Sequence, residues 1–168
     1  MIAGSKISIR NATQRDVLLI NTLAKQIWPV TYSEILSSKQ LAYMLDLIYS
    51  PTALQKQFET GHNFIIAEEG DQPVAFADYS VLKDDIYKLH KIYVLPGQQG
   101  KGIGKLLIDH ITQKIKEQKA AVLLLNVNRY NKAKGMYERL GFTVIGEEDI
   151  DIGDGYFMND YVMEKKID

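Results

Sequence analysis

The sequence predicts a mixed α/β fold of the α+β type, in which a mostly antiparallel sheet of six to seven strands is flanked by four to five helices. Two observations carry this prediction. Residues 64–95 contain three strand-like runs separated by short polar turns, which is typical of an antiparallel meander. A glycine-rich segment then opens an amphipathic helix, and the apolar run Val122–Val127 that follows is typical of a strand buried on both faces.

The first part of the chain is predicted to contain one strand and three helices. Apolar and polar residues alternate from Ile7 to Ile9, as expected for a short strand. Thr13 is a candidate cap for the first helix, which we expect Pro29 to end. Ser37 is a candidate cap for a second helix, and Pro51 suits the first position of a short third one.

The later elements follow from the same periodicities. A helix is predicted from Ile103 to about Gln118, and another from Asn131 to Leu140, where Gly141 ends it. The acidic segment 147–160 is predicted to be mainly a solvated loop between two last strands. The remaining predicted strands are Phe64–Glu68, Val74–Leu82, Ile86–Leu95, Phe142–Ile145 and Asn159–Glu164.

Composition indicates one globular domain spanning residues 1–168. Twenty basic and 21 acidic residues give a net charge of −1, so no overall field favours nucleic acid or an anionic membrane. The absence of cysteine excludes a disulfide scaffold, a thiolate metal site and a cysteine nucleophile. The amino terminus lacks a long apolar core, and no apolar run approaches the roughly 18 residues of a membrane span. We therefore expect a cytoplasmic protein without a metal cofactor.

The segment from Val94 to Lys105 is the strongest chemical signal. Gly100, Gly102 and Gly104 lie just where a strand ends and a helix begins, so backbone N–H groups and the helix dipole can converge on a phosphate. The glycine spacing fits neither the Walker A loop nor the Rossmann fingerprint. A plain glycine-rich turn remains the alternative for this motif taken alone.

Two segments carry a family resemblance. The pattern Gln99-x-x-Gly102-x-Gly104 resembles the pyrophosphate loop of the GCN5-related N-acetyltransferases, the GNAT superfamily. Segment 131–142 resembles the N-x-x-A-x-x-x-Y-x-x-x-G-F pattern of the same family, although Ala133 lies one position early and Gly135 stands within the helix. The predicted order of elements is also similar to the GNAT arrangement, so the resemblance extends over the whole chain.

The resemblance implies an N-acetyltransferase that uses acetyl-CoA as co-substrate. The parallel strands Ile86–Leu95 and Val122–Val127 would be splayed, and the coenzyme's amide arm would bond the main chain of the first strand, where an N–H could also hold the thioester oxygen. Asn131 would bond this arm, or cap its helix, or both. The implied coenzyme-binding residues are Ile92, Val94, Gln99, Gly100, Lys101, Gly102, Ile103, Gly104, Lys105 and Asn131.

Two residues are candidates for the proton transfers. Tyr137 matches the family's tyrosine acid, whose hydroxyl donates toward the coenzyme sulfur, although a helix tyrosine can also be only a core residue. His90 is a candidate base, because strand alternation would place it on the same face as Ile92 and Val94, as in arylalkylamine N-acetyltransferases. An ordered water is the alternative base. Lys88 stands where histone-type relatives carry a glutamate base, which argues against that subclass.

The acceptor is predicted from weaker signals. The region from Trp28 to Ser50 resembles PaiA-type polyamine acetyltransferases, and acidic residues of segment 147–160 would attract a cationic amine. We therefore expect a small primary amine, with a polyamine as the specific class. The alternatives are a peptide or protein acetyltransferase acting on an amino terminus or a lysine, and a non-catalytic acyl-CoA-binding module. The family resemblance also allows a homodimer.

Overall fold

The computed structural model describes residues 6–168, and within this range it contains seven strands and five α-helices. The expectation about the amino terminus falls largely on residues 1–5, which lie outside the described residues. The strands are β1 (Ile7–Asn11), β2 (Asn63–Glu69), β3 (Gln72–Lys83), β4 (Ile86–Val94), β5 (Val122–Asn128), β6 (Thr143–Gly153) and β7 (Tyr156–Lys166). The helices are α1 (Val17–Tyr32), α2 (Ser38–Tyr49), α3 (Pro51–Glu59), α4 (Ile103–Glu117) and α5 (Lys134–Arg139).

The strands form one twisted mixed sheet in the order β1-β2-β3-β4-β5-β7-β6. All neighbouring pairs are antiparallel except β4 and β5, which pair in parallel from Ile86 with Val122 to Leu89 with Leu125. The predicted fold class, the order of elements and the parallel pair are therefore confirmed. Beyond Leu89 the two parallel strands separate, which confirms the expected splay.

Helices cover both faces of the sheet. On one face α4 buries Leu107, Ile108 and Ile111 against β3, β4 and β5, together with Tyr137 of α5. On the other face α1, α2 and α3 pack over Phe76 and the neighbouring strands. Each fully buried aliphatic or aromatic side chain contributes about 1.5–3 kcal/mol. None of the helices between residues 6 and 168 is long and apolar enough to cross a membrane.

Helix α1 continues past Pro29, where we expected it to end. Proline leaves the Lys25 carbonyl without its helical donor, but Lys25 is exposed. Beyond the proline, Tyr32 is buried in the same core as Trp28. Packing of this apolar face therefore carries the helix through the proline.

The hairpin at the carboxyl end also differs from the prediction. Strand β6 runs to Gly153 and β7 begins at Tyr156, so the acidic residues 147–151 lie in a strand and not in a loop. Strand β6 forms the edge of the sheet and is mostly exposed, so its charged side chains remain in water and cost little folding free energy. The same charges hinder the pairing of a further strand with this edge. Helix α5 starts only at Lys134, because residues 131–133 form a turn.

Candidate active site

The gap between β4 and β5 exposes main-chain groups. The Leu95 N–H donates to the Val74 carbonyl of β3 at 2.9 Å. Because alternate residues of an antiparallel strand bond the same neighbour, the N–H groups of Ile92 and Val94 point away from β3, into the gap. The structure therefore places both predicted residues where an extended amide chain could pair with them.

A β-bulge precedes this stretch and changes the face on which His90 lies. Asp78 pairs with Lys91 and Tyr79 pairs with Leu89, so His90 is the extra residue of β4. Its ring contacts Ser80 on the face of α1–α3, whereas Ile92 and Val94 pack toward α4. The expectation that His90 shares a face with these two residues is therefore wrong, because a bulge breaks the two-residue period.

The glycine loop presents backbone donors. Gly100 and Gly102 have φ values of 81° and 79°, which favour glycine. The bond from Leu106 N–H to the Gly102 carbonyl is the first of helix α4, and the N–H groups of residues 100–105 donate to no carbonyl within residues 6–168. Free donors at the start of a 15-residue helix fit an anion such as a diphosphate.

The side chains around this loop have other partners. Gln99 Nε2 donates to the Val94 carbonyl at 3.2 Å and so holds the loop against the end of β4. The Lys101 ammonium lies 2.9 Å from the Gln98 amide oxygen and 3.7 Å from Glu69. The Lys105 ammonium lies 2.5 Å from the Asp109 carboxylate. An anion at this loop would therefore be held by main-chain donors, with lysine charges nearby.

One cleft of about 860 Å³ connects the loop and the gap. It runs from the glycine loop along β4 and β5 to the end of α1 and the turn before α5. Every predicted site residue except Lys101 lines it, so the structure brings these residues together: His90, Ile92, Val94, Gln99, Gly100, Gly102, Ile103, Gly104, Lys105, Asn131 and Tyr137.

Tyr137 reaches the cleft from helix α5. The residue is only 7% exposed, and its ring packs edge-on against Phe142 with centroids 5.9 Å apart. Burial, and next the nearby Tyr32, raise the pKa of the Tyr137 hydroxyl well above its usual value. This hydroxyl bonds no side chain or carbonyl between residues 6 and 168. The Tyr137 hydroxyl is therefore protonated at neutral pH, and its proton has no hydrogen-bond acceptor among the described residues.

Asn131 holds the turn that positions this helix. Its side-chain oxygen accepts from the Ala133 N–H at 2.9 Å, and its own N–H donates to the Asn128 carbonyl at 2.9 Å. The capping alternative is therefore wrong: the N-cap of α5 is Ala133, which has no side-chain cap bond, and Asn131 instead satisfies a donor of the turn before the helix. The same residue also lines the cleft.

His90 is a weak base in this environment. Its Nε2 lies 2.7 Å from the Ser80 hydroxyl, and its ring centroid lies 4.4 Å from that of His62. Burial is the main reason that the pKa of His90 falls to about 4. The imidazole is therefore neutral at pH 7 and would hold a proton poorly.

A buried charged cluster beside His90 was not predicted. Asp78 is fully buried, and one of its oxygens accepts from Lys91 at 2.8 Å and from His62 at 2.5 Å. Burial raises the pKa of Asp78, but these two partners outweigh it and lower the pKa overall. The cluster links β3 to β4 beside the bulge. The alternation of apolar and polar residues along these strands does not reveal this charged cluster.

Tyr32 of α1 and Tyr93 of β4 line the cleft. Their hydroxyls lie 2.9 Å apart, and Trp28 packs against both rings. From the sequence, Trp28 and Tyr32 were placed in the segment that resembles polyamine acetyltransferases, and Tyr93 was not singled out. The sequence signal that could have found these two tyrosines is their position. Tyr32 lies at the end of the first long helix, and Tyr93 lies shortly before the glycine loop.

Helix α2 bonds the carboxyl-terminal hairpin, and no residue of α2, β6 or β7 lines the cleft. Tyr43 Oη donates to the Ile152 carbonyl at 2.7 Å, and Gln40 Nε2 donates to the Phe157 carbonyl at 2.9 Å. Across residues 6–168, no group of three or more His, Asp or Glu side chains is arranged to bind a metal ion.

The sequence is similar to known acetyltransferases. A family model described as an acetyltransferase (GNAT) domain matches residues 33–164. The chain is 34% identical over 89 residues to the ribosomal protein bS18-alanine N-acetyltransferase of Haemophilus influenzae, a match covering 53% of this chain and 57% of that enzyme. It therefore spans little more than half the length of that relative. It is 30% identical over 131 residues to the 5-NmdU N-acetyltransferase of Pseudomonas phage PaMx11, covering 74% of this chain and 89% of that protein.

A solved structure shares the fold. The PaiA N-acetyltransferase of Thermoplasma acidophilum, crystallised with coenzyme A, superimposes with a TM-score of 0.82 at 24% identity, over 96% of this chain and 99% of that one. The likeness at this identity concerns the fold. Because the family model covers most of the chain and the splayed strands and glycine loop stand in the family's order, the chain belongs to the GNAT family of acetyltransferases.

Proposed function

We propose that this protein transfers an acetyl group from acetyl-CoA to the primary amine of a small molecule, with a polyamine as the specific class. One observation carries the proposal. The free N–H groups of residues 100–105, the open main chain of β4 and the protonated Tyr137 converge on one cleft, whose far end is lined by the end of α1 and the turn that follows it.

The coenzyme would be held mainly by the backbone. The N–H groups of the glycine loop would bind the diphosphate, and the main chain at Ile92 and Val94 would pair with the amide arm. The thioester supplies an activated acetyl group that an amine nitrogen can attack. An N–H at Ile92 would stabilise negative charge on the thioester oxygen.

Two proton movements remain. Tyr137 would donate toward the leaving sulfur, because its raised pKa keeps it protonated at neutral pH. His90 was the candidate for removing the amine proton, but its pKa of about 4 and its bond to Ser80 favour the alternative, a water in the cleft. In this scheme His90 would orient such a water from its neutral form.

Contacts between α2 and the hairpin favour a small molecule. Tyr43 and Gln40 join these two elements, and we infer that the contacts restrict the approach of an extended peptide to the cleft. The acidic outer strand β6 would draw cations toward the cleft. The resemblance of the helical segment 28–50 to polyamine acetyltransferases supports the same class.

A second candidate is acetylation of a peptide's amino terminus. The relative named for ribosomal protein bS18-alanine favours it, and an amino terminus also presents an ammonium group. This candidate requires the α2–hairpin contacts to open.

An acceptor panel separates the two candidates. Spermidine, phenethylamine and a peptide beginning with alanine would each be incubated with acetyl-CoA, and free coenzyme A would be measured. We expect turnover with an amine and little with the peptide. Turnover confined to the peptide would establish the second candidate. Coenzyme binding without turnover on any acceptor would establish the non-catalytic module.

A further inference from the structure

A buried carboxylate lies behind the cleft. Asp160 of β7 is 6% exposed, and its Oδ1 has no hydrogen-bond partner within the described part of the chain. Burial is the main reason that the pKa of Asp160 is raised. A buried carboxylate without a full set of partners costs folding free energy, so its presence calls for an explanation.

Arg129, a cation close to Asp160 in the fold, forms its ion pairs elsewhere. The Arg129 guanidinium lies 2.5 Å from Asp149 and 3.6 Å from Glu147, on the outer strand. It reaches only the main-chain carbonyl of Asp160, at 3.4 Å. Lys88 of β4 also lowers the pKa of Asp160 and Glu148 raises it, yet no salt bridge to the Asp160 carboxylate forms among residues 6–168.

Asn126 connects this carboxylate with the cleft. Its Nδ2 donates to Asp160 Oδ2 at 3.4 Å, and the residue itself lines the cleft. A carboxylate can only accept, so the amide nitrogen must face Asp160 and the amide oxygen is left to face away. Asn126 directly follows Leu125, the last residue of β5 that pairs with β4, so it is the first β5 residue in the gap.

Asn126 lies on the face of the sheet where we expect the acceptor to bind. Leu125 and Val127 pack toward α4, so strand alternation puts Asn126 on the opposite face, that of α1–α3. Asp160 shares this face. Burial is the main reason that the pKa of Tyr32, which lines the cleft, is raised, and the charge of Asp160 adds a smaller increase. An acceptor oxygen backed by a negative charge recognises a cation that carries N–H donors.

We propose that Asn126 and Asp160 form the subsite for the ammonium group of the acceptor. The Asn126 amide oxygen accepts a hydrogen bond from the ammonium. Asp160 is a positioning residue: it fixes the orientation of this amide and supplies the negative charge behind it. The inference rests on the proposed function, because it names the residues by which that cleft selects a cationic amine.

Two acceptors of different charge test the subsite. Spermidine is cationic at neutral pH, whereas methoxyamine is an uncharged nucleophile. We expect Asp160→Asn and Asn126→Ala to raise the KM for spermidine about tenfold or more and to change kcat/KM for methoxyamine far less. The dissociation constant for coenzyme A should stay within about twofold of wild type. Because the buried charge is removed, the melting temperature of Asp160→Asn should not fall.

Asp154→Asn is the matched control. It removes the same charge from an exposed turn of the same hairpin, and asparagine tolerates the positive φ of 54° there. Its KM for spermidine should match that of wild type. Equal losses with both acceptors, or a lower melting temperature for Asp160→Asn, would show a structural role and overturn the inference while the proposed function stands. Failure of wild type to acetylate any amine, with coenzyme still bound, would refute the proposed function and this subsite with it.

Discussion

Tyr137 combines three properties that suit an acid. It is buried, its pKa is raised, and its hydroxyl has no partner among residues 6–168 although it borders the cleft. A core tyrosine would normally bond a polar partner with its hydroxyl. The free hydroxyl therefore favours a role toward the coenzyme sulfur over a purely structural one.

Replacing Tyr137 by phenylalanine should separate chemistry from binding. We expect Tyr137→Phe to lower kcat about 100-fold or more, because the general-acid contribution is lost while the ring still packs on Phe142. The KM for acetyl-CoA should change little, as measured by steady-state kinetics. Tyr87→Phe, a hydroxyl removed elsewhere in β4, should keep full activity. An equal effect of both variants on kcat would contradict the assignment.

We expect His90 to make the free energy of unfolding depend on pH. Its lowered pKa means that the folded protein favours the neutral ring, so the unfolded chain takes up a proton first as pH falls. The stabilisation that comes from the neutral His90 ring is therefore complete above about pH 6.5 and is lost as the pH falls toward about 4. We expect this loss to amount to on the order of 1–2 kcal/mol, discounted for the part-exposed ring.

Urea unfolding at pH 7 and pH 4.5 measures this loss. His90→Gln can keep a hydrogen bond to Ser80 but cannot titrate, so its stability should fall less between the two pH values. The neighbours Asp78, His62, Lys91 and Lys88 remain in both proteins. Parallel pH dependence in wild type and variant would show that His90 does not carry the effect.

At the residue scale, the sequence predicted those site residues that belong to a spaced motif. Gly102, Asn131 and Tyr137 lie where the pattern expects them, because short segments fix their mutual positions. Asp160 was predicted only as part of an acidic loop. Its burial depends on Asn126 and Tyr32, which come from other elements, and no local pattern records such contacts.

Among the elements, the glycine loop and helix α4 act as one unit. Gly102 stands at the helix start with a φ of 79°, and a Cβ there would meet no atom within 4 Å. The cost of a side chain is therefore conformational and not steric. For an L-residue in this region it is about 1–2 kcal/mol.

Gly102→Ala should weaken coenzyme binding more than it weakens the fold. We expect a loss of about 1 kcal/mol in unfolding free energy. If the backbone relaxes to a negative φ, the loop N–H groups turn away, and calorimetry should show coenzyme A affinity reduced about tenfold or more. Gly97→Ala is the matched control, since Gly97 has neither a positive φ nor a close neighbour. Unchanged affinity in Gly102→Ala would remove the loop from the diphosphate site.

Elements defined by strong periodicity were predicted well, and those defined by their neighbours were not. Helix α4 follows from its apolar stripe and β5 from its continuous apolar run. The extent of β6 could not be predicted, because an exposed edge strand carries the polar residues of a loop. The bulge at His90 was also hidden, since it is set by the register between β3 and β4.

At the scale of the whole molecule, the cleft lies where two halves of the fold meet. The coenzyme side is built from β4, α4 and α5, whose residues are close in the chain. The proposed acceptor side is lined by the end of α1, and the next helix, α2, touches the last hairpin through Tyr43 with Ile152 and Gln40 with Phe157. We therefore expect substrate selection to depend on contacts between distant parts of the chain.

The Tyr43 contact should affect the acceptor and not the coenzyme. Tyr43→Phe removes the 2.7 Å bond to the Ile152 carbonyl, so we expect about 1 kcal/mol of lost stability and a hairpin that opens more easily. The KM for the amine should rise about three- to tenfold, while the KM for acetyl-CoA stays unchanged. Tyr156→Phe is the control, because its ring packs on Tyr43 but its hydroxyl bonds nothing within residues 6–168. An equal rise in both KM values would mean that the hairpin and the coenzyme side form one rigid unit. That result would contradict the separation of the cleft into a coenzyme side and an acceptor side.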